Sequence, residues 1–582
     1  MSNEDIYNNI EQAKKEWEEK VLTPAYQRFG QQESPTKIYT PLDVKDFDYM
    51  KDVGLPGQYP FTGATYPTNI FGLGIKMMAI GGGDLPLRRA AIYSGYGTSE
   101  DTRDYYKEEI SRGFTGGPNL ALDLPTQCGL DSDNPTVEGE VGKVGVAIDT
   151  LKDFEIIFEP FVNGRDLDKI GTNITINAAS NILMAMYLAL ADKRGVSWDK
   201  LRSTPQNDIL KEFVSRGTYI YPPRPSMRMF RDSLVFFNKN CPGINITSIG
   251  GYHIREGGAT RIQDLAFSMA IGIAYIQEGI NAGLDIDSFA PKFTFNAFGG
   301  SMEFFKEIGF QRAARRMWAR ILKERFGAKK QESMRIRVPA AAHIGCSSTT
   351  KQRALNNVTR AIVGGIAGAL SGGPPAAFPP YDEALGLGWS REAKQLMIDA
   401  VRILILEAKL SDVIDPLAGS YYVESLTNEI EEEAWDELKK IEEMGGAVAA
   451  IEDGYMQREV AKSAAEKQRK IDDREEFVVG VNCFTDDTEL DVTTSKIVEN
   501  PYNPEKRAKA EEKQKQRLSE IKSKRDNKEV SRLLKDLKEA AKDESKNLMP
   551  IFIDCAKAYV SEQEQCDVLR EVFGEWERDT YI

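Results

Sequence analysis

The feature that most constrains the fold is a repeated alternation of short apolar strands with apolar helices, which begins near residue 118 and continues for roughly 300 residues. Seven stretches have the apolar or β-branched character of buried strands: 119–124, 145–148, 172–176, 219–221, 246–249, 293–295 and 335–338. Strongly apolar helices are predicted between several of them. Such alternation indicates an α/β barrel or a doubly wound sheet, and seven or eight units favour a (β/α)8 TIM barrel.

The rest of the chain divides around this predicted barrel. Residues 1–50 combine a polar helical pattern with an extended stretch, which predicts an N-terminal arm lying on a partner or a neighbouring domain. The barrel is assigned to residues 51–395. Residues 396–582 are helical and charged, and 503–545 have the pattern of a solvated helical hairpin.

Composition excludes several classes of protein. Hydrophobic residues make up 41% and charged residues 28% of the 582-residue chain, as in an ordinary globular protein. The net charge of −14 argues against nucleic-acid binding. The six cysteines contain no Cys-x-x-Cys, which predicts reduced thiols and no metal site. With neither a signal-peptide core nor an apolar run of roughly 20 residues, we expect a cytoplasmic protein without a membrane span.

One strand end stands out as a candidate centre of chemistry. The predicted strand 246–249 runs into Gly250 and Gly251, and Tyr252 and His253 follow directly. The chain has only two histidines, and His253 is one of them. In a barrel, the carboxyl ends of the strands carry the reacting groups. The alternative, which the spacing leaves open, is a turn histidine that caps the following helix.

A second candidate region is the glycine- and proline-rich stretch 54–100, in which Arg88 and Arg89 are embedded. Glycine-rich backbone with arginines suits a phosphate-bearing ligand. A nucleotide-binding fold is not indicated, since neither a Gly-x-Gly-x-x-Gly after a strand nor a Walker loop is present. The alternative for any one of these residues is a long surface loop.

Several motifs occur in a fixed order along the chain. They are 131–135 (DSDNP), 142–149 (GKVGVAID), 206–212 (QNDILKE), 218–228 (TYIYPPRPSMR), 251–253 (GYH), 381–385 (YDEAL) and 414–416 (IDP). From about residue 55 onwards, the chain resembles the large subunit of the adenosylcobalamin-dependent acyl-CoA mutases, the methylmalonyl-CoA mutase type. The resemblance implies a (β/α)8 barrel that holds a CoA ester along its axis. It also implies a reversible 1,2-rearrangement through radicals, with adenosylcobalamin as cofactor.

The resemblance also has consequences for partners. In that family, an Asp-x-His-x-x-Gly motif in a second domain supplies the histidine that binds cobalt. The second histidine here, His343, has alanine two residues before it and no glycine three residues after it. We therefore expect a separate small cobalamin-binding subunit, an α2β2 heterotetramer, and weak cobalamin binding by this chain alone. A GTPase chaperone is a further candidate partner.

Residue roles follow from the same resemblance. His253 matches the residue that contacts the thioester carbonyl, and Tyr252 a neighbour of both corrin and substrate. Tyr93 matches the tyrosine that helps displace the adenosyl group. Arg216 matches the arginine that grips a free carboxylate, and Gln206 a residue close to the substrate; a surface helix arginine is the alternative for Arg216.

Other matches complete the candidate site. The remaining predicted substrate contacts are Asn245, Lys292, Thr294, Arg88, Arg89 and Leu122. The predicted cofactor contacts are Tyr252, Glu256, Glu383 and Ala384. Lys292 replaces a usual arginine, Leu122 replaces an aromatic residue, and the segments 340–345 and 376–380 depart from the family pattern. These departures suggest a reshaped acyl pocket.

Three functions are weighed on this basis. The first is a mutase for a dicarboxylic acyl-CoA, either methylmalonyl/succinyl-CoA or a bulkier alkyl- or aryl-succinyl-CoA. The second is a mutase for a neutral branched or hydroxyacyl-CoA, against which Arg216 argues. The third is a non-catalytic barrel that binds CoA esters.

Overall fold

The computed structural model of the chain describes residues 3–29, 37–67, 93–95, 97–111, 113–114, 116–295, 299–337, 343–344, 348–373, 379–385, 390–410, 412–485 and 504–577. Within these ranges, the strands are short, and each pairs in parallel with a neighbour. They are β1 Tyr93–Ser94, β2 Asn119–Ala121, β3 Gly171–Thr175, β4 Arg202–Pro205, β5 Thr247–Ile249, β6 Phe293–Phe295, β7 Gly299–Gly300 and β8 His343–Ile344.

The strands are adjacent in the order of the sequence. Strands β1 to β4 form one sheet in that order, and β5 pairs with β6. The N–H of Ser248 donates to the carbonyl of Gln206 at 2.8 Å, so β5 continues alongside β4. The N–H of Phe295 donates to the carbonyl of Arg337 at 2.9 Å, which extends the series beyond β6. The predicted helix-rich α/β class is therefore confirmed, while closure into a barrel stays a prediction.

Helices connect the strands and cover them. The α-helices of the described residues are Asn3–Trp17, Thr23–Phe29, Ser99–Ser111, Leu124–Gln127, Leu151–Ile157, Ser180–Lys193, Pro223–Asn240, Gly251–Glu256, Arg261–Asn281, Ile286–Phe289, Phe304–Arg320, Gln331–Met334, Asn356–Leu370, Arg391–Arg402, Tyr421–Glu443, Ala447–Glu452, Tyr455–Asp472, Pro504–Lys524, Asn527–Lys542, Met549–Lys557 and Glu562–Phe573. Ser180–Lys193 is buried on nearly every side, as its apolar sequence predicts, because Met549–Lys557 packs over it. None of these helices is both long and apolar enough to span a bilayer.

Three strand predictions are corrected. Of the predicted strand 335–338, the described residues 335–337 form no strand, although the carbonyl of Arg337 accepts from the N–H of Phe295. Residues 219–221 form no strand: this extended segment lies between Gly217 and the helix Pro223–Asn240, and the ring of Tyr221 packs edge-on against Phe573 at 5.6 Å. Residues 145–148 make only a single parallel bridge, between Val146 and Leu122. At 219–221 and at 145–148, the apolar and β-branched sequence correctly indicated buried, extended backbone. No neighbouring strand pairs with either segment along a full ladder.

The C-terminal helices pack back onto the early strands. The predicted hairpin forms as the helices Pro504–Lys524 and Asn527–Lys542. It is not solvated all round, because Leu518 and Leu537 are buried and Gln514 donates to the buried carboxyl of Asp149 at 2.8 Å. The division of the chain at residues 50 and 395 stays a prediction.

Candidate active site at the strand ends

The carboxyl ends of β3, β4 and β5 bring two predicted site residues, Gln206 and His253, to the same edge of the sheet as Asn177. Asn177 follows β3, Gln206 follows β4 and His253 follows β5. Asp208 joins two of these ends, since its Oδ2 accepts a 2.7 Å hydrogen bond from the N–H of Gly250. Because the strands are parallel, residues far apart in sequence meet at this edge, the position at which α/β folds build their active sites.

A carboxylate organises this edge. Glu212 Oε1 accepts hydrogen bonds from Lys211 Nζ at 2.6 Å, Asn177 Nδ2 at 2.7 Å and Arg216 Nη1 at 3.2 Å. Gln206 Oε1 accepts from Asn177 Nδ2 at 3.0 Å and from Lys211 Nζ at 3.1 Å. We call these five residues the Glu212 cluster. Two predicted site residues, Gln206 and Arg216, are thus held in one network.

The charges of the Glu212 cluster are compensated inside the protein. Burial disfavours the charged form of Glu212, but the adjacent Lys211 and Arg216 hold its pKa below the ordinary value. Burial lowers the pKa of Lys211, and the carboxylates of Glu212 and Asp208 oppose that effect. Glu212 is therefore an ionised group that two cations share.

Arg216 occupies the open end of the network. Its side chain is 22% exposed, whereas those of Lys211 and Glu212 are fully buried. It ends the π-helical turn Glu212–Arg216, which Gly217 terminates in the left-handed conformation at φ 90°. Its Nη1 is bonded to a buried carboxylate, which neither establishes nor excludes the alternative of a surface arginine. Its role toward a substrate stays a prediction.

His253 lies next to this cluster. It belongs to the short helix Gly251–Glu256, is half-buried, and has its ring 3.9 Å from the ring of Tyr252. Ser215 Oγ donates to the carbonyl of His253 at 3.0 Å, which ties the π-helical turn to this helix. The alternative of a helix-capping histidine is wrong, because Thr260 caps the next helix in a capping box with Gln263.

A second set of predicted substrate residues lies at the opposite ends of the strands. Asn245 precedes β5 and Lys292 precedes β6. The Asn245 side chain accepts from Arg337 Nη1 at 3.1 Å, and Lys292 Nζ donates to Asn238 at 2.9 Å. With a rise of about 3.3 Å per residue, Asn245 and Gly250 are about 16 Å apart along the strand. The predicted contacts therefore divide between the two ends of the sheet.

The remaining predicted residues are more dispersed. Thr294 is buried in β6 and donates to the carbonyl of Thr247 at 2.9 Å, and Leu122 is buried just after β2. The backbone of Tyr93, in β1, pairs with that of Asn119 in β2, and the side chain of Tyr93 lies outside the described part of the structure. Glu256 is half-buried at the end of its helix, and Glu383 and Ala384 are half-buried in the turn Glu383–Leu385. Arg88 and Arg89 lie outside the described residues.

Four residues of these sites were not assigned roles from the sequence. Asn177, Lys211 and Glu212 belong to the Glu212 cluster, and Arg337 lies beside Asn245. A signal for two of them was present, because Lys211 and Glu212 directly follow the apolar pair Ile209 and Leu210 at the end of the otherwise polar run 206–212. Buried charges of this kind require partners, so their presence in such a run indicates a network.

Comparison with known proteins agrees with this picture. The family model for methylmalonyl-CoA mutase matches residues 31–575. A 2-hydroxyisobutanoyl-CoA mutase large subunit from Aquincola tertiaricarbonis is 38% identical over 546 residues, which cover 94% of this chain and 92% of that protein. The human mitochondrial methylmalonyl-CoA mutase is 36% identical over 525 residues, which cover 90% of this chain and 66% of the human protein. The chain belongs to the methylmalonyl-CoA mutase family, a family of isomerases, as its motifs predict.

Proposed function

We propose that this chain is the large subunit of an adenosylcobalamin-dependent mutase that rearranges a dicarboxylic acyl-CoA. The observation that carries the substrate class is Arg216, a partly exposed guanidinium bonded to Glu212 in a turn whose Ser215 donates to the carbonyl of His253. A guanidinium fixed in orientation suits a carboxylate, with which it can form two parallel hydrogen bonds. The acyl group is of the methylmalonyl/succinyl type or a bulkier alkyl- or aryl-substituted homologue.

The CoA ester is proposed to lie along the axis of a closed (β/α)8 barrel. The parallel strands in sequence order support closure, because that is the order in which a barrel is built. The two sets of polar residues about 16 Å apart support the axial path, since the strand rise separates them by that length. Lys292 and Arg337 then meet the phosphate end of CoA, with Arg88 and Arg89 as further candidates. His253 and Arg216 meet the acyl end.

The residues at the acyl end have separate tasks. His253 donates a hydrogen bond to the thioester oxygen, and Arg216 holds the free carboxylate at the other end of the acyl group. Gln206 lies close to the substrate, and Tyr93 lies near the adenosyl group. Leu122, Asn245 and Thr294 contact the substrate along its length. The barrel wall excludes water from the reacting centre. When bound, the cofactor supplies the radical chemistry, and the protein supplies position and protection.

A separate small subunit is proposed to hold most of the cofactor. His253 lies beside Tyr252, with the two ring centroids 3.9 Å apart, and the sequence around His343 does not match the Asp-x-His-x-x-Gly motif that binds cobalt in the family. The relative named as a large subunit, of which this chain covers 92%, supports the split. Tyr252 and Glu256, at the strand ends, and Glu383 and Ala384, in the turn Glu383–Leu385, are half-buried and would contact the corrin. An α2β2 assembly in the cytoplasm, loaded by a GTPase chaperone, completes the proposal.

A second candidate function has its own support. The large subunit from Aquincola tertiaricarbonis, 38% identical to this chain, is named for a hydroxyacyl substrate rather than a dicarboxylic one. Under that alternative, Arg216 contacts no substrate carboxylate and contributes only to the Glu212 cluster. The two candidates therefore differ in the effect of changing Arg216.

The test is reconstitution with a candidate small subunit and adenosylcobalamin against a panel of acyl-CoA esters, followed by mass spectrometry. Arg216→Gln should lower kcat/KM for acid esters by about 10- to 100-fold, since a hydrogen bond to a charged group contributes about 1.5–3 kcal/mol. Neutral esters should change little. Arg224→Gln is the matched control, because Arg224 is a 71% exposed arginine paired with Glu452. Equal losses for acid and neutral esters would remove Arg216 from this role, and no turnover of any ester would favour the non-catalytic barrel.

A further inference from the structure

We propose that Glu212 is a positioning residue for substrate selection: it fixes the guanidinium of Arg216 in the orientation that receives a substrate carboxylate. The inference rests on the proposed function and assigns a task to a residue that contacts no substrate itself. Its basis is the complete hydrogen bonding of the Glu212 carboxylate.

Both oxygens of Glu212 are used within the protein. Oε1 accepts from Lys211, Asn177 and Arg216, and Oε2 accepts from the N–H of Thr218 at 3.0 Å and from its Oγ1 at 2.6 Å. A carboxylate with this many donors and no exposed surface has little freedom to move. The Nη1 of Arg216 is therefore bonded to a fixed point, which removes much of the rotamer freedom of a long side chain.

The neighbouring charges explain how Glu212 stays ionised while buried. Asp208 and Glu212 are both fully buried, and Lys211 lies between them, with its Nζ on Glu212 Oε1 and on the carbonyl of Asp208. The carboxyl of Asp208 faces the opposite way, where it accepts from Tyr275 Oη at 2.8 Å and from the N–H of Gly250. The charges alternate in sign from Asp208 through Lys211 and Glu212 to Arg216. Arg216 is the end member, and it is the exposed one.

The same turn also reaches the other end of the proposed substrate. Ser215 lies within the turn Glu212–Arg216 and donates to the carbonyl of His253. Thr218, just beyond the turn, is bonded to Glu212 through backbone and side chain. Glu212 consequently sets the relative position of Arg216 and His253, which are proposed to hold the two ends of the acyl group.

If Glu212 acts through its charge, Glu212→Gln should change the binding of acids in one direction; if it acts by positioning Arg216, the change should be in the opposite direction. If only charge matters, Glu212→Gln leaves the site more positive and strengthens binding of acids. If position matters, the freed guanidinium binds acids less well, because its orientation is lost. The readout is the ratio of dissociation constants for succinyl-CoA and butyryl-CoA, which differ in the free carboxylate, measured on the reconstituted holoenzyme.

The variants are Glu212→Gln, Arg216→Gln, the double variant, and Glu431→Gln as control. Glu431, in the helix Tyr421–Glu443, is a buried glutamate that pairs with Arg316 and Arg320 of the helix Phe304–Arg320. Its replacement therefore imposes a comparable structural cost in a different network. We expect Glu212→Gln to reduce the preference for succinyl-CoA at least tenfold and Glu431→Gln to leave it unchanged. The double variant should equal Arg216→Gln, because Glu212 acts through Arg216.

Each outcome decides between the two proposals. If Arg216→Gln lowers the preference and Glu212→Gln leaves it unchanged or raises it, the positioning role fails and the proposed substrate class stands. If Arg216→Gln leaves the preference unchanged, both fail. Should Glu212→Gln not fold, Thr218→Val removes the 2.6 Å donor to Glu212 Oε2 and the longer, 3.4 Å hydrogen bond that Thr218 Oγ1 accepts from Arg216, and leaves the other donors to Glu212 in place. It should lower the preference by a smaller factor, and an unchanged preference would overturn the positioning role.

Discussion

A methyl group added at residue 250 tests whether the position of His253 controls the rate. Gly250 follows β5 and has a φ of −115° and a ψ of 67°, so its backbone does not need the left-handed conformation that favours glycine. An alanine Cβ there would lie 2.9 Å from His253 Nδ1 and 3.2 Å from Lys211 Cε, whereas ordinary contacts begin at 3.4 Å. Relieving the closer contact requires the imidazole to move by about 0.5 Å, since the repulsion rises steeply below contact distance.

The expected effect of Gly250→Ala is a loss of activity without a comparable loss of stability. A misplacement of about 1 Å costs up to about 100-fold in rate, so half of that displacement should lower kcat/KM about tenfold. The free energy of unfolding should fall by less than about 1.5 kcal/mol, because the closer contact is with the half-buried His253, and the fully buried Lys211 has to move by only about 0.2 Å. The assay is kcat/KM of the reconstituted enzyme on its best ester, together with urea unfolding of the chain.

The control for Gly250→Ala is Gly309→Ala. Its Cβ would lie 3.2 Å from Leu426 Cγ and 3.3 Å from Ile430 Cδ1, in the helix Phe304–Arg320 packed on Tyr421–Glu443. This variant meets similar crowding away from His253 and should keep full activity. A Gly250→Ala enzyme within twofold of the wild type would refute the reasoning, because a displaced His253 ring would then have no effect on the rate.

Two further predictions concern stability. Glu562 is fully buried with no hydrogen-bond partner for either oxygen among the described residues, and burial, with nearby Asp131 and Asp149, raises its pKa well above 4.5. The folded state therefore binds the Glu562 proton more tightly than the unfolded state does. The contribution of this proton to the free energy of unfolding is complete below pH 4.5 and is lost as pH rises through the folded pKa. The Tm of Glu562→Gln should therefore exceed that of the wild type by an amount that grows from pH 6 to 9, and a constant difference would contradict this. Arg228 donates to backbone carbonyls at the end of the helix Asn527–Lys542, among them that of Asp543 at 2.7 Å. Arg228→Met should cost about 2–4 kcal/mol in urea unfolding, since charged hydrogen bonds are lost to buried acceptors, while the control Arg231→Met should cost under about 1 kcal/mol; equal costs would argue against the capping role.

The fold was predictable where apolar pattern determines structure. The helix Ser180–Lys193 was evident from its uniform apolarity, and β3, β5 and β6 from their β-branched or aromatic residues. Strand β4 was not predicted, because Arg202–Pro205 is polar and ends in proline, and only its neighbours on both sides make it a strand. The bridge at 145–148 shows the opposite case, in which the pattern was present and the ladder was not.

The sequence predicted several residues of the candidate site but not the hydrogen bonds that connect them. Gln206, Arg216 and His253 came from motifs, and the structure places them at one edge of the sheet. Their connection depends on a π-helical turn, which places Arg216 next to Glu212 and which no pattern in the sequence indicates. Hydrogen bonds from Lys211 and Asn177 depend on tertiary distances of the order of 3 Å, which spacing along the chain does not fix.

The Glu212 cluster also changes what an arginine in this motif implies about substrate. A guanidinium bonded to a glutamate is already partly neutralised, so its attraction for a second carboxylate depends on the edge it leaves exposed and on the charges behind it. In this chain, Lys211 balances one buried carboxylate on each side, and Arg216 alone reaches the opening. If the alternation were broken by Lys211→Met, the buried carboxylates would repel or take up protons, and the hold on Arg216 would weaken. Selection for acids should therefore fall in Lys211→Met as in Glu212→Gln, although the two changes shift the local charge in opposite directions.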